Sequence, residues 1–300
     1  MASLRDHLFP TDRPESRGFL LFFKIFEALI VAFTIYYAWY WGRYTLRISD
    51  VVLPLGIAQY IDVRFMFGNS LPLINAALIS GLMVIGFFRL SRWAYLGGFL
   101  LLHWQYATRF TLGEIPHSGN LVGMAVLGFA IAALAFEDGR YRRRFVIGYN
   151  YFFVGLGYTL AGICKLIGTG LHWSDGSHLW MWVHEKGIDA FAKWGVLDFN
   201  LLQDTVLAHY PIATLFLTIG LVSELSAFLM WWRPFRLPVG LAVLGLHVGI
   251  FLIMGILFAF SMAIVTMLTF PWARWFDHFL EASADPPMLG SLTAFSTRFA

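Results

Sequence analysis

Apolar residues in this chain are gathered into long runs, which alternate with short polar segments containing arginine, glycine and proline. A transmembrane helix needs about 20 predominantly apolar residues, and several runs reach or approach that length. The runs are continuous rather than alternating, which favours helices over the strands of a membrane barrel. The pattern predicts about eight passes, within a range of seven to nine, at residues 18–41, 71–88, 93–107, 121–136, 145–167, 208–231, 237–257 and 260–272.

The segments between and beyond these passes are short. Residues 1–17 and 276–300 are predicted to be a cytoplasmic tail and a C-terminal tail, and the proline- and glycine-broken residues 51–60 an interfacial or re-entrant segment. The connection at 168–204 contains the stretch LWMWVHEKGIDAFAKW, whose mixed pattern is typical of an amphipathic helix lying in the membrane interface, here on the outer side. We therefore expect one transmembrane domain at 18–275 and no soluble domain.

Composition strengthens the membrane prediction. Hydrophobic residues make up 59% of the chain and charged residues 13%, whereas soluble domains contain about a quarter charged residues. The chain lacks the polar surface to cover itself in water, so we predict an all-α integral membrane protein with the lipid bilayer as a partner. The formal net charge of +3 does not suggest nucleic acid as a partner. A single cysteine, Cys164, excludes an intramolecular disulfide and a multi-cysteine metal site.

Basic residues predict the orientation, because cytoplasmic loops carry the excess of arginine and lysine. If the N-terminus is cytoplasmic, the larger basic set falls inside: Arg5, Arg13, Arg17, Arg89, Arg92, Arg140, Arg142, Arg143, Arg144, Arg233, Arg236 and Arg274. The outer face then carries the smaller set: Arg43, Arg47, Arg64, Arg109, Lys186 and Lys193. We predict a multi-pass protein with both termini cytoplasmic, in the inner membrane if the protein is bacterial.

Ionisable residues inside the passes are costly and are functional candidates by default. Lys165 ends the fifth pass, where it can either reach the head groups or act as a general base, since burial penalises its ammonium form. His247, in the middle of the seventh pass, is too deep to reach the interface. For Glu224, a protonated and hydrogen-bonded carboxyl is the favoured interpretation, and an ionised partner for a buried cation is the alternative. Lys24 and Glu27 predict a self-neutralising pair.

Other motifs carry less information. His172, His178 and His184 recur every six residues, a spacing that does not place them on one helix face, so a metal site is not favoured. The sequence has no phosphate-binding loop, nucleophile elbow or HExxH motif. His117, in the loop sequence IPHSGN, falls on the predicted outer side together with Lys165.

Three segments resemble one known family. AGICKL followed by Trp173 and Gly176 resembles the signature of the HTTM (horizontally transferred transmembrane) domain proteins, which are related to the vitamin K-dependent gamma-glutamyl carboxylases. The turn RPFR with GLHVGIFLIMGILFAFSMAIVTML is similar to the family's basic turn and mid-helix histidine, and IPHSGN is similar to its loop histidine. The resemblance runs from the fourth to the eighth pass, a little over half of the chain.

The resemblance implies a membrane enzyme that uses a reduced quinone, of the vitamin K or menaquinol type, and no metal. Lys165 matches the base that deprotonates the hydroquinone, while His247 and His117 match histidines that position or polarise the quinone. In the carboxylases, oxygen addition then generates a base strong enough to remove a proton from a substrate glutamate, which captures carbon dioxide. Four further residues are expected in the quinone or substrate site: Trp173, Glu224, Tyr158 and Ser261.

The sequence departs from the carboxylase pattern in two respects. Cys164 stands where the family has the first lysine of a pair, and the carboxylases have a large lumenal domain that these passes do not supply. Two other functions remain open, a non-catalytic helper in the maturation or export of a secreted peptide and a structural subunit of a larger membrane complex. Buried lysine, histidine and glutamate favour a quinol-dependent enzyme of the lyase or oxidoreductase type, because a scaffold gains nothing from costly buried charges.

Overall fold

The computed structural model describes residues 3–9, 15–47, 52–113 and 117–284, and over these ranges the chain is helical without a β-strand. The predicted all-α fold is confirmed. In chain order the α-helices are α1 (Leu4–Leu8), α2 (Arg17–Arg47), α3 (Leu71–Phe87), α4 (Ala94–Phe110), α5 (His117–Ala135), α6 (Gly139–Thr169), α7 (Gly176–Trp194), α8 (Leu201–Ala208), α9 (Tyr210–Leu225), α10 (Arg236–Met254), α11 (Ala259–Thr269) and α12 (Trp272–Ala284).

Some of these helices are long enough to cross a bilayer. Within the described ranges, four helical stretches are long and apolar enough: Arg17–Arg47, Gly139–Ser174, Tyr210–Trp231 and Arg233–Met254. Three other apolar helices are shorter: Leu71–Phe87, Gly119–Ala135 and Ala259–Thr269. Four candidate spans in an all-helical chain support membrane association, and they correspond to the predicted first, fifth, sixth and seventh passes.

The predicted last pass differs from the helix that forms there. α11 has 11 residues, which at 1.5 Å per residue is about half of the roughly 30 Å hydrocarbon thickness. It ends because Phe270 precedes Pro271 and adopts extended backbone. Before it, α10 stops at Gly255, whose φ of 66° is left-handed, and residues 255–258 are not helical. The short eighth pass predicted at 260–272 therefore coincides with α11 over residues 260–269, and its crossing of a membrane stays a prediction.

Parts of both predicted tails are ordered helix. Ser3 and Asp6 form a capping box that starts α1, and Leu8 is buried against α6. At the other end α12 continues to Ala284 and packs along α2, where the Asp277 carboxylate accepts a hydrogen bond from the Gly18 amide at 2.7 Å. Helices thus form at residues 4–8 and 276–284 of the predicted tails, whose cytoplasmic location stays a prediction. The rest of the predicted C-terminal tail, 285–300, lies outside the described residues.

Other predicted local features are present. The helix predicted within 168–204 is α7, which buries Leu179 and Val183 against α9. The predicted pair forms, with Lys24 Nζ 3.1 Å from Glu27 Oε2, and the Tyr95 hydroxyl donates to the other carboxylate oxygen at 2.9 Å. Residues 52–60 form extended backbone and a 3₁₀ turn, Gly56–Gln59. The position of α7 and of this turn relative to a bilayer stays a prediction.

Two apolar clusters hold the bundle together. The larger cluster contains residues from each of the helices α2, α3, α4, α5 and α6 and from α10 and α11. Its buried residues include Phe26, Ile30, Ile79, Met83, Leu102, Val126, Val154 and Ile264. The smaller one joins α7, α8, α9 and α10, through Leu179, Val183, Val206, Ala213, Leu217 and Ile253. Because lipid tails are as apolar as these side chains, close packing rather than transfer from water stabilises contacts within the membrane.

Many basic residues of the predicted inner set meet at one end of the bundle. Arg143 at the start of α6 pairs with Glu15, and Arg236 at the start of α10 donates to the His7 carbonyl at 2.8 Å. Arg233 donates to the Asp6 carbonyl at 3.3 Å. The N-terminal segment, the α5–α6 turn and the α9–α10 turn therefore share this end, which we call the basic end.

Gly155 and Gly157 on α6 provide a test of this packing. A Cβ atom at Gly155 would lie 2.5 Å from Trp231 Nε1, whereas at Gly157 the nearest atom, Leu121 Cδ2, would be 4.0 Å away. We expect Gly155→Ala to lower the free energy of unfolding by about 1–3 kcal/mol through overpacking. Gly157→Ala should leave it unchanged or raise it by up to about 1 kcal/mol through helix propensity. Thermal unfolding in detergent measures both; equal effects would contradict the close approach at Gly155.

Candidate functional site

Helix α6 positions two polar side chains on one face. Tyr158 and Lys165 are seven residues apart, which is two helical turns. Gly162 lies between them, and a Cβ there would be 3.0 Å from Leu225 Cδ2, so α9 approaches α6 closely at this level. Lys165 therefore points towards α9. Tyr158 points towards α10, the next helix of the bundle.

Lys165 forms an ion pair with Glu224. Its Nζ lies 2.5 Å from Oε1 and 2.6 Å from Oε2 of the carboxylate. The Glu224 side chain is only 8% exposed, and that of Lys165 is 28% exposed. The ammonium also lies over the Trp173 ring, 4.3 Å from its centroid, a cation–π contact. The lysine therefore turns into the bundle rather than out to the head groups.

This contact bears on the two interpretations of Glu224. Its carboxyl group bonds to a neighbouring helix, as the favoured interpretation expects, and the partner is a lysine amine facing both oxygens, as the alternative expects. The protonation state of Glu224 stays a prediction. A single sequence does not show which helix faces which, so this partner could not be identified from it.

A second polar pair lies beside the first. The Tyr158 hydroxyl and His247 Nε2 are 2.5 Å apart, and the His247 side chain is buried. His247 Nδ1 is buried and has no hydrogen-bond partner in the described part of the chain. Buried ring nitrogens are normally bonded, so this one is a candidate contact for a ligand. The buried Ser261 of α11 neighbours the Tyr158 hydroxyl.

An apolar cavity of about 590 Å³ lies between α9 and α10 and is bounded at one end by Lys165. Its lining is apolar apart from Lys165 and Ser223, and it includes Trp173, Leu179, Trp182, Phe216, Leu217, Ile219, Gly220, Gly245, Leu246, Gly249, Ile250, Ile253, Met254 and Phe258. A Cβ atom at Gly245 or Gly249 would have no neighbour within 4 Å, so both glycines face open space. Ile219 and Gly245 are exposed, so the cavity opens onto the side of the bundle.

The non-helical residues 255–258, which precede the last predicted pass, lie at this level. Phe258 lines the cavity and packs on His247, with ring centroids 5.2 Å apart. α11 therefore starts inside the bundle, next to His247, and Phe258 gives its N-terminus no side-chain cap. Non-helical backbone at membrane depth is tolerated only where it is buried in protein or lines a cavity. The first-turn amides of α11 are directed donors of the kind that bind oxyanions.

The wall of the cavity is fixed by contacts at the start of α7. Asp175 caps this helix through the Ser177 amide at 2.8 Å and accepts a hydrogen bond from the Tyr210 hydroxyl at 2.5 Å. The Tyr210 hydrogen bond, with those from Ser177, lowers the pKa of Asp175 to about 2. The carboxylate is therefore ionised at neutral pH, and it joins α7 to α9 next to Trp173.

The structure brings together six of the seven predicted site residues. Lys165, Glu224 and Trp173 form one group, Tyr158, His247 and Ser261 the other, and the two groups lie within electrostatic range of each other. The seventh, His117, is the first residue of α5, and its side chain lies outside the described residues. Its backbone lies one turn before Leu121, which faces Gly157 of α6.

Apart from Trp173, the glycines and aromatic residues that line the cavity were not predicted from the sequence. Gly245 and Gly249 are four residues apart on α10, a small-residue spacing that marks close approach or open space along a membrane helix. That spacing was a usable signal. The contributions of Trp182 and Phe258 were not predictable, since they depend on how α7 and residues 255–258 fold back.

Comparison of the chain with protein-family models, with curated proteins and with solved structures finds no match. The resemblance to the HTTM domain family stays a prediction that rests on the quoted segments. Among the described residues, no three histidine, cysteine, aspartate or glutamate side chains are grouped so that they could hold a metal ion.

A double-mutant cycle tests the ion pair. Lys165→Met leaves the Glu224 carboxylate without its cation in apolar surroundings, and we expect a loss of about 2–3 kcal/mol in the free energy of unfolding, below the full figure for a pair buried on both sides. Glu224→Gln should also destabilise the protein, and the double variant should lose about 1–2 kcal/mol less than the sum. Thermal unfolding of the four proteins in one detergent measures the coupling. Strictly additive losses would show that the two side chains do not interact.

Proposed function

We propose that the protein binds a reduced quinone, or a quinol-like amphiphile, in the cavity between α9 and α10, and that the Lys165–Glu224 pair accepts a proton from its hydroxyl group. One observation carries the proposal: within the described lining of the apolar cavity, Lys165 is the single ionisable side chain. A volume of about 590 Å³ falls within the roughly 300–1,000 Å³ typical of small-molecule sites. The apolar ring and chain of a quinol would fill the cavity, and its hydroxyl group would contact Lys165.

The cavity suits a ligand that is dissolved in the membrane. It opens laterally between α9 and α10, through exposed Ile219 and Gly245, rather than only towards an aqueous end. Trp173 and Trp182 offer flat apolar faces near the amine, with their ring centroids 5.9 Å apart. These residues orient a planar head group beside Lys165 and exclude water from it.

The pair can take up one proton without creating an isolated charge. Lys165 Nζ passes a proton to the Glu224 carboxylate, 2.5 Å away, and accepts one from the ligand hydroxyl. Lys165 is then still an ammonium beside the ligand, and Glu224 is a neutral acid. A base in direct contact with its own proton acceptor is a common arrangement for general base catalysis.

The second polar group has a positioning role in this proposal. Phe258 packs on the His247 ring, and the unpartnered His247 Nδ1 would hold a polar atom of the ligand or substrate. A reduced quinone supplies an acidic hydroxyl group. Its oxidation by dioxygen would supply the free energy for the chemistry that follows. By resemblance to the carboxylases, the product of this step would modify an external or membrane-bound substrate.

We also propose that the chain crosses the membrane eight times, with both termini cytoplasmic. The clustering of Arg143, Arg233 and Arg236 at the basic end supports this orientation, because arginine-rich ends remain cytoplasmic. α6 runs from that end to Lys165, so the candidate site would lie towards the outer side. In this arrangement residues 255–258 and α11 together make the last crossing.

Filling the cavity should weaken binding. Quenching of tryptophan fluorescence by a short-chain menaquinone analogue measures affinity in purified protein, since Trp173 and Trp182 line the cavity. We expect Gly249→Leu to weaken binding at least about tenfold, because the side chain occupies the space of the ligand. Gly81→Leu is the matched control: its Cβ also meets nothing within 4 Å, but it lies on the exposed face of α3.

The same assay separates proton acceptance from binding. Lys165→Met should bind the oxidised analogue nearly as well as the wild type but lose the preference for the reduced form, and Lys186→Met on the surface of α7 is its control. Equal affinities of wild type and Gly249→Leu would contradict the cavity as the site. Binding without any dependence on Lys165 would favour the helper function over the enzyme.

A further inference from the structure

A second pocket lies at the other end of the molecule, with a different chemistry. It has a volume of about 190 Å³ and lies between the end of α3, the start of α4 and the start of α6. Three arginines line it, Arg89, Arg92 and Arg142, each from a different one of these segments. Its floor is apolar and includes Phe23 and Phe129.

The positive charge of this pocket is not balanced. The carboxylate that lines the pocket, Glu27, is buried and already has two partners. It forms a salt bridge with Lys24 at 3.1 Å and accepts a hydrogen bond from the Tyr95 hydroxyl at 2.9 Å. Within the described ranges, none of the three lining arginines forms a salt bridge with a carboxylate. Arg142 donates through Nε to the Phe136 carbonyl, and Arg92 lies 5.6 Å from the Trp93 ring, so both are oriented by neutral groups. A bound anion would relieve the repulsion between the three guanidinium groups.

The backbone at Arg89 gives independent support. Arg89 follows α3 with a φ of 59°, the left-handed conformation that glycine usually supplies after a helix. Its amide bonds to the Gly86 carbonyl at 2.9 Å, and the Leu90 amide to the Ile85 carbonyl at 3.0 Å, which fixes this turn. A side chain at such a position costs stability that glycine would not. An arginine at this position is therefore less stable than glycine would be. Its contribution to the pocket lining explains why an arginine is found there.

The surroundings indicate which anion fits. Phe88, Leu90 and Trp93 are exposed beside the arginines, so the pocket borders the region where lipid tails meet head groups. Arginine binds phosphate oxygens through two parallel hydrogen bonds. The start of α4 has no side-chain cap from Trp93, and its partial positive charge adds to the attraction.

We propose that this pocket binds the phosphate of an anionic phospholipid head group. Basic pockets between transmembrane helices on the cytoplasmic side are a known kind of site for such lipids. A phospholipid would place its phosphate among Arg89, Arg92 and Arg142 and lay its acyl chains on the exposed apolar surface. A soluble phosphate would gain only the first of these contacts. The site is separate from the cavity at Lys165 and does not depend on what binds there.

Native mass spectrometry of the full chain in a neutral detergent tests the proposal, with phosphatidylglycerol and phosphatidylcholine as probes. We expect at least about tenfold tighter binding of phosphatidylglycerol. Arg142→Gln and Arg89→Gly should each reduce that affinity about tenfold and reduce the affinity for phosphatidylcholine less, because the choline cation already offsets the attraction of its phosphate to the arginines. Arg89→Gly also removes the backbone strain, so a loss of binding there cannot be attributed to unfolding.

Arg140→Gln is the matched control. It removes the same charge at the same end, but Arg140 is exposed, pairs with Asp138 at 3.3 Å and is not part of the pocket. Wild-type affinity in Arg140→Gln supports the proposal. An equal loss in Arg140→Gln would indicate a diffuse charge effect and overturn it. Displacement of phosphatidylglycerol by an equal concentration of inorganic phosphate would assign the pocket to a soluble anion and also overturn it.

Discussion

An ammonium and a carboxylate inside an apolar bundle each cost several kcal/mol of desolvation unless they meet with good geometry. Lys165 of α6 and Glu224 of α9 meet at 2.5–2.6 Å. The pair can form only if both helices have one relative rotation and one relative height, so it fixes the register of α6 against α9. Gly162 permits the close approach that this register needs. Two charges that would each be unfavourable alone thus define the geometry of the candidate site.

The rest of the site follows from that register. With α6 fixed, Tyr158 reaches His247 of α10 on the same helix face, and Trp173 covers the Lys165 amine. Leu179 and Val183 pack α7 against α9. Between these contacts, Gly245 and Gly249 leave a volume unfilled along α10. An apolar cavity with one charged wall is the consequence, and it is the feature from which a quinol-binding function is proposed.

Much of the architecture could be predicted from the order of apolar runs, because runs of this length have few stable alternatives to helices in a membrane. Lys165, His247 and Glu224 could be identified as candidates because burying an ionisable group in an apolar run costs free energy. Their pairing could not be predicted, since Lys165 and Glu224 are 59 residues apart and belong to different helices. The break before α11 lies close to the predicted boundary between the passes at 237–257 and 260–272, because Gly255 ends α10 a few residues earlier than the apolar run suggests. α1 and α12 were missed because they are short or amphipathic and lack long apolar runs.

The molecule has two chemically distinct ends, a cavity at Lys165 and a basic end rich in arginine. We propose that a membrane-soluble ligand enters the cavity between α9 and α10. Photo-crosslinking with a photoreactive quinone analogue, followed by mass spectrometric mapping of the adducts, tests this route of entry. We expect adducts concentrated on Phe216, Ile250 and Met254, which line the cavity. Adducts found mainly on outward-facing residues such as Tyr36 and Tyr40 of α2, or spread evenly over the helices, would rule this route out.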